Sequence, residues 1–425
     1  MNEILSYLIR FLLGDDDVAA RHAPSVGYTD DPDHFSRYAL VIIPSGFFNP
    51  GTYATPASLP CLPLKEIEGL PVLFGQAREE QRGRTWVIHA DLIAGAYFLI
   101  TRYEEMMRPQ VRDVHGRFPG KESLPFRAGF LHRPLIDHYR LFLRKRLGLP
   151  QLPAEIRQIF LTHDVDAPFL YRSWKGFLRS ILDQRGLVRS LKGKTGHPVQ
   201  DPYYTFPQML QQDRRLMDKH MARSVFFFKA GGRLPEDKPH YNLRNKDILR
   251  LMAEIRRQGG EIGLHASYEA GIHPALLAGE KRRLEQCLGH TVSFNRHHFL
   301  ACREPDDMDC LEKQAFSEDF TLGYADRAGF RLGTSYPVSW INPRTRRLTS
   351  LCLHPLTVMD CSLEEEKYMG LSRREAFAFC LRLAHEVKRV GGELSLLWHN
   401  TSLREGSGSY LGDLYPYLLT HLLEK

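Results

Sequence analysis

Downstream of Pro153 the chain alternates between short apolar runs that read as strands and longer amphipathic stretches that read as helices. The runs QIFLTHDV (158–165), ARSVFFFKA (222–230), EIGLHAS (261–267), SFNRHHF (293–299), FRLGTSYP (330–337) and LSLLWHN (394–400) are interleaved with helical patterns at 208–221, 246–260 and 373–392. Short runs bounded by turn residues and set between helical segments predict parallel strands joined by helical crossovers. The expected class is α/β, and a parallel (β/α) barrel is its most economical form.

LGLPQLPAEIRQIF puts Pro150 and Pro153 between a helical stretch (137–149) and the first of these strands, which predicts a domain boundary there. Residues 1–150 would form a smaller α/β domain and residues 151–425 the barrel; 425 residues exceed what one ordinary core holds. Upstream, 38–48 and 85–105 offer strand and helix candidates. Ile4, Leu5, Leu8, Ile9 and Leu12 mark one face of a short helix that stops at Gly14. No catalytic spacing is legible in this half.

Composition removes several classes. Hydrophobic residues make up 43% of the chain, which excludes an intrinsically disordered protein. With 57 Lys+Arg against 50 Asp+Glu, the formal charge of +7 is mildly basic, and no nucleic-acid partner is expected. The longest apolar run, LIAGAYFLI (92–100), falls far short of the roughly 20 residues of a membrane-spanning helix. The N-terminus lacks the basic and small-residue features of a secretory leader. Seven cysteines without a CxxC pair fit small buried side chains in a reducing, cytoplasmic setting. Arg172, Lys175, Arg179, Arg185, Arg189 and Lys192 recur at helical spacing, a face suited to peripheral membrane contact, an anionic glycan or plain solvation.

The chemistry lies at the strand ends, where a parallel barrel keeps its active site. THDVD sets Asp164 and Asp166 two residues apart, on one face if the strand persists. Adjacent carboxylates repel unless a cation separates them, so a divalent ion on one and a free base in the other resolves the conflict. The plainer role is a helix cap or turn. His265 ends EIGLHAS, with Glu269 four residues on. NRHHFL puts Arg296 and His298 on one face and His297 on the other, the arginine suited to an aspartate partner and His298 to a metal or a substrate. LSLLWHN brings Trp398, as a pocket wall, and His399, as a general acid that either Asp326 or Asp360 would support. Jointly these ends point to a metal-assisted hydrolase.

At these residues the chain resembles the polysaccharide deacetylase family, the carbohydrate esterases of family 4, whose fold is a distorted (β/α) barrel. The likeness runs from about Pro153 to the C-terminus. THDVD is similar to the family's first motif, which implies Asp164 as catalytic base and Asp166 as metal ligand. GLHASY is similar to the start of the second and implies His265 as the next ligand. NRHHFL resembles the third, whose arginine orients the base, here Arg296; LLWHN resembles the last and implies His399 as catalytic acid. The second motif ordinarily reads His-x-x-x-His, yet position 269 is glutamate. The third ligand is therefore expected from His298, with Glu269 as the alternative, on a divalent ion: zinc first, nickel or cobalt next. TRYEE (101–105) and DVHGRFP (113–119) look like the accessory domain that precedes this barrel in bacterial deacetylase-like proteins.

The reaction that the resemblance implies removes acetyl groups from a sugar or polysaccharide, such as a cell-envelope glycan or its precursor. Tyr203 and Tyr204 in DPYYTF, together with Trp398 and Arg331, are expected to contact the carbohydrate. The alternatives are a catalytically impaired glycan-binding protein on the same fold and a hydrolase of a non-sugar amide.

Overall fold

In the computed structural model, residues 1–14, 17–172, 191, 194, 196–219, 221–406 and 408–423 are described. The basic stretch expected on a helix face therefore lies almost wholly outside the described residues; of it, Arg172 pairs with Asp247.

The N-terminal part begins with helix α1 (Asn2–Leu13), which buries Ile4, Leu8, Leu12 and Leu13 and ends at Gly14, whose φ of 114° suits a residue without a Cβ. Strands β1 (Val26–Tyr28), β2 (Leu40–Ile42), β3 (Lys65–Ile67), β4 (Leu70–Val72), β5 (Gly75–Arg82) and β6 (Thr85–Ala90) follow. They form a small sheet in the order β1-β2-β6-β5 and a separate β3-β4 pair. The apolar run 92–100 becomes helix α2 (Leu92–Ile100), buried at every position and capped by Asp91. Its apolar surface goes all round because it is a core helix. No helix of the described residues is long and apolar enough to cross a membrane.

The main sheet is built from β7 (Gln158–Val165), β8 (Ala222–Lys229), β9 (Glu261–Ala266), β10 (Phe294–His297), β11 (Glu318–Asp319), β12 (Val338–Asn342), β13 (Arg347–Leu353), β14 (Val358–Met359) and β15 (Glu393–Leu397). Their order is β12-β13-β11-β10-β9-β8-β7-β15-β14, parallel throughout except for the β12-β13 pair. The α/β sheet is curled like half a barrel: β12 and β14 are its edges and do not pair with each other, so the described strands form no closed ring. The run 330–337, expected as a strand, folds as turns. Its Thr334 and Ser335 are tied to Asp137 rather than to a strand ladder, and Gly333 turns the chain at φ 68°.

Alternate residues of the central strands share one face of the sheet. Phe160, Val225, Phe227, Phe294 and Phe320 form an aromatic floor. Gly263 leaves room for it, since a Cβ there would lie 2.5 Å from the Phe227 ring. Above this floor the inward residues turn polar, and they line the candidate site.

Arg331, expected to contact substrate, is instead a link between the two parts of the chain. It donates to Glu105 through Nε and Nη2, and Arg102 donates to the same carboxylate. All three are buried. Burial by itself pushes Glu105 up, but Arg102 and Arg331 outweigh it and hold its carboxyl at about 2. Removing one charge from such a buried group leaves the others uncompensated, so Glu105→Gln should lower stability in urea unfolding by about 3–5 kcal/mol. The folded pKa is depressed, so the stabilisation is fully present above the unfolded value of about 4.3 and disappears as pH falls through the folded one. The gap between wild type and variant should therefore narrow below about pH 4; a gap that stays constant there would assign the loss to packing instead.

Candidate active site

Strands β7, β9, β10 and β15 deliver the site, the last through His399, two residues past its end. Asp164 is the penultimate residue of β7 and Asp166 lies just past its end; His265 is near the end of β9, Arg296 is in β10, and His298 follows it directly. Register sets His265 beside Lys229 of β8 on one side and Arg296 on the other.

Both imidazoles are oriented through Nδ1. His265 Nδ1 donates to the Arg296 carbonyl at 2.9 Å, and His298 Nδ1 donates to Asp237 Oδ1 at 3.2 Å. Each Nε2 is thereby left facing Asp166 Oδ1, at 3.2 Å from His265 and 3.4 Å from His298. The three residues offer ligand atoms that all lie within 4.8 Å of one another. Asp166 Oδ1 and His265 Nε2 are buried without a hydrogen-bond partner, which is costly unless something satisfies them. A cation does so, and the two separations match neighbouring ligand atoms that are each about 2.0–2.2 Å from a shared ion. Two imidazoles and a carboxylate, with Nδ1 held from outside, fit a divalent metal. Burial by itself raises the Asp166 carboxyl, but His298 and His265 bring it well below its usual range. Burial lowers His298, yet Asp166 and Asp237 carry it above its ordinary value, so a cation entering between them must displace a proton.

Asp164 occupies a different position. Its Oδ1 accepts from Arg296 Nη1 at 3.2 Å, and its Oδ2 lies 3.5 Å from His265 Nε2. Arg296 is fully buried, donating also to Thr162 Oγ1 and the Phe320 carbonyl, with its guanidinium carbon 4.7 Å from the Phe227 ring centre. On the far side, His399 places Nε2 3.7 Å from Asp166 Oδ2. Its Nδ1 donates to Asp360 Oδ1 at 2.8 Å, and the other oxygen of Asp360 accepts from the His399 backbone and from Ser402. Burial pulls the His399 imidazole down, but the Asp360 carboxylate outweighs it and lifts it well above the usual value, so the ring favours the imidazolium form. Of the two aspartates considered for this support it is Asp360 that touches the ring; Asp326 accepts from Gly120 and Lys121.

The structure thus brings together Asp164, Asp166, His265, Arg296, His298 and His399. Glu269 is outside the ligand cluster, and its carboxylate accepts from the Arg233 backbone at 2.8 Å. His163 faces away, between the Trp398 carbonyl and Asp213. Trp398 is fully buried against Tyr415 and donates to the Leu411 carbonyl, so it presents no wall to a substrate. Tyr204 stacks on Phe169 and lines a groove of about 300 Å³ with Asp201, Leu403 and Arg404. Tyr203 is half-buried, with Arg404 5.8 Å over its ring.

Sequence reasoning missed Asp237 and Lys229. Lys229 ends β8 and donates to the Asp237 and Pro239 carbonyls; Asp237 sits in a short turn that Gly232, at φ 83°, allows to pack closely. For Lys229 the signal was available, since β8 is an apolar strand ending in a charged residue; Asp237, in a separate turn, carried none.

Comparison with known proteins adds three findings. Residues 1–149 match a family of unknown function, DUF7033. None of the curated proteins compared with the chain matches it. Among solved structures the chain is similar to one described as a putative polysaccharide deacetylase from Mycobacterium smegmatis. The two share 15% identity and a TM-score of 0.39, over 64% of this chain and 88% of that one.

Proposed function

We propose that the chain is a metal-dependent hydrolase that removes acetyl groups from a sugar or polysaccharide, with a barrel-like catalytic domain from residue 151 onward and an accessory domain before it. The observation that carries the metal part is the convergence of two imidazole Nε2 atoms on one orphaned carboxylate oxygen of Asp166. The acetyl-sugar part rests on the four sequence motifs that these residues occupy. Asp166, His265 and His298 would hold the ion, zinc by preference. When bound, it would supply Lewis acidity to a carbonyl oxygen and lower the pKa of a water.

The remaining steps belong to the protein's own groups. Asp164 Oδ2, the oxygen that Arg296 leaves free, takes the proton of the water that attacks the acetyl carbonyl. Arg296 fixes the carboxylate's direction. His399, held protonated by Asp360, gives its Nε2 proton to the departing amine or hydroxyl, and acetate is released. The groove lined by Tyr204 and Arg404 includes residues 403–405, a few positions after His399 in the chain, and would take the flanking sugar. The seven free cysteines accord with a reducing compartment.

The test is metal analysis of the purified protein, thermal melting with and without chelator, and acetate release from acetylated oligosaccharides. About one divalent ion per chain, a melting temperature lowered by chelator, and metal-dependent acetate release are expected. Absence of both metal and acetate would sink the enzyme reading. Metal with tight oligosaccharide binding but no acetate would favour a non-catalytic glycan-binding protein.

A further inference from the structure

We propose that Arg117, carried by the DVHGRFP stretch of the N-terminal part, is a positioning residue of the candidate metal centre; this rests on reading Asp166, His265 and His298 as its ligands. The starting observation is the backbone just beyond His298. Phe299 and Leu300 both adopt left-handed conformations, at φ 61° and 52°. Residues with a Cβ disfavour this region, and two in succession persist only where their surroundings fix them.

Arg117 supplies that fixing. Its Nη1 donates to the Phe299 carbonyl at 2.7 Å, a short charge-assisted bond made by a residue only 6% exposed. The guanidinium is itself locked, with Nε and Nη2 on Asp113 Oδ2 at 2.8 and 2.7 Å. Asp113 Oδ1 accepts from the backbone of His115 and of Arg117 at 2.9 Å each, so the loop closes on itself. The next residue pair repeats the contact through rings. His115 packs 4.9 Å from Phe299, which stands edge-on to His298 at 4.7 Å. Arg303 Nε returns a bond to the His115 carbonyl.

A segment that contributes no ligand thus fixes the turn from which one ligand hangs. Metal centres depend on such outer partners because ligand atoms must meet the ion at set distances and angles. Here the partner comes from the other part of the chain, and the accessory region becomes a component of the site.

The probe is cobalt(II), whose visible absorption reports ligand geometry, titrated into the full chain. Arg117→Ala should weaken cobalt binding by about 10–100-fold, the range for an outer-shell partner, and change the absorption envelope. Arg117→Lys, which keeps the charge without the planar fork, should fall between it and wild type. Val114→Ala, at the 94% exposed tip of the same loop, should alter neither. Wild-type affinity and spectrum in Arg117→Ala overturn the proposal, even if that variant melts earlier. Should Arg117→Ala not fold, Arg117→Lys decides, and wild-type cobalt affinity in it is the overturning result. No cobalt binding by the wild type would overturn the metal reading itself, a distinguishable failure.

Discussion

Asp164→Asn should lower kcat for acetate release by about 10²–10⁴-fold, the contribution of a general base, and leave the metal content at the wild-type level. The two aspartates of THDVD are separated by what they face. Asp164 Oδ1 is taken by Arg296, and asparagine can still accept that bond, so the variant keeps its shape while losing the basic oxygen. Asp166 Oδ1 is the oxygen shared by both imidazoles. Asp164 Oδ2 nevertheless lies 3.5 Å from His265 Nε2, close enough for the assignment to be open to attack. If Asp164→Asn emerges with its metal gone, Asp164 is a ligand and the division of labour is wrong. If activity survives with metal intact, the base is some other group.

His298→Ala should cost more than about 100-fold in metal affinity, beyond the upper end for an outer-shell change, whereas Glu269→Ala should stay within about threefold. Chelator competition on the purified variants measures both. His298 Nε2 is 3.4 Å from Asp166 Oδ1 with its Nδ1 anchored on a buried carboxylate. Glu269 spends its carboxylate on the Arg233 backbone. Its loss should loosen the loop after β8 without emptying the cluster. The reverse order of effects would make Glu269 the ligand and His298 a packed neighbour.

Much of the central sheet could be read from local pattern. β7 spans the residues that its apolar run marked, and β8, β9, β10 and β15 differ from expectation only at their ends. Parallel strands buried on both faces write themselves as near-continuous apolar runs, which is why they were legible. The run 330–337 misled for the same reason: Phe330, Leu332 and Tyr336 are buried as a strand's would be, but as turns tied to Asp137. Burial looks the same in sequence whether a ladder or a side chain satisfies the backbone. Trp398 and Arg331 show the matching error with large polar-capable residues. Trp398 was placed at substrate at a strand end and Arg331 near another strand, and each is buried in contacts with distant segments, Leu411 and Glu105.

By itself the sequence determined which polar residues are spaced two apart at a strand end, Asp164 with Asp166 and Arg296 with His298, the first of each pair in its strand and the second just past it. Side-chain alternation is a local property of an extended backbone. Only the tertiary structure decided which oxygen faces which nitrogen, that Asp360 rather than Asp326 meets His399, and that Asp237 orients His298. It alone brought Arg117 to the Phe299 carbonyl across 182 residues of chain. Those contacts join loops on different elements, and their distances are set by how the strands pack and curl, which no local spacing encodes.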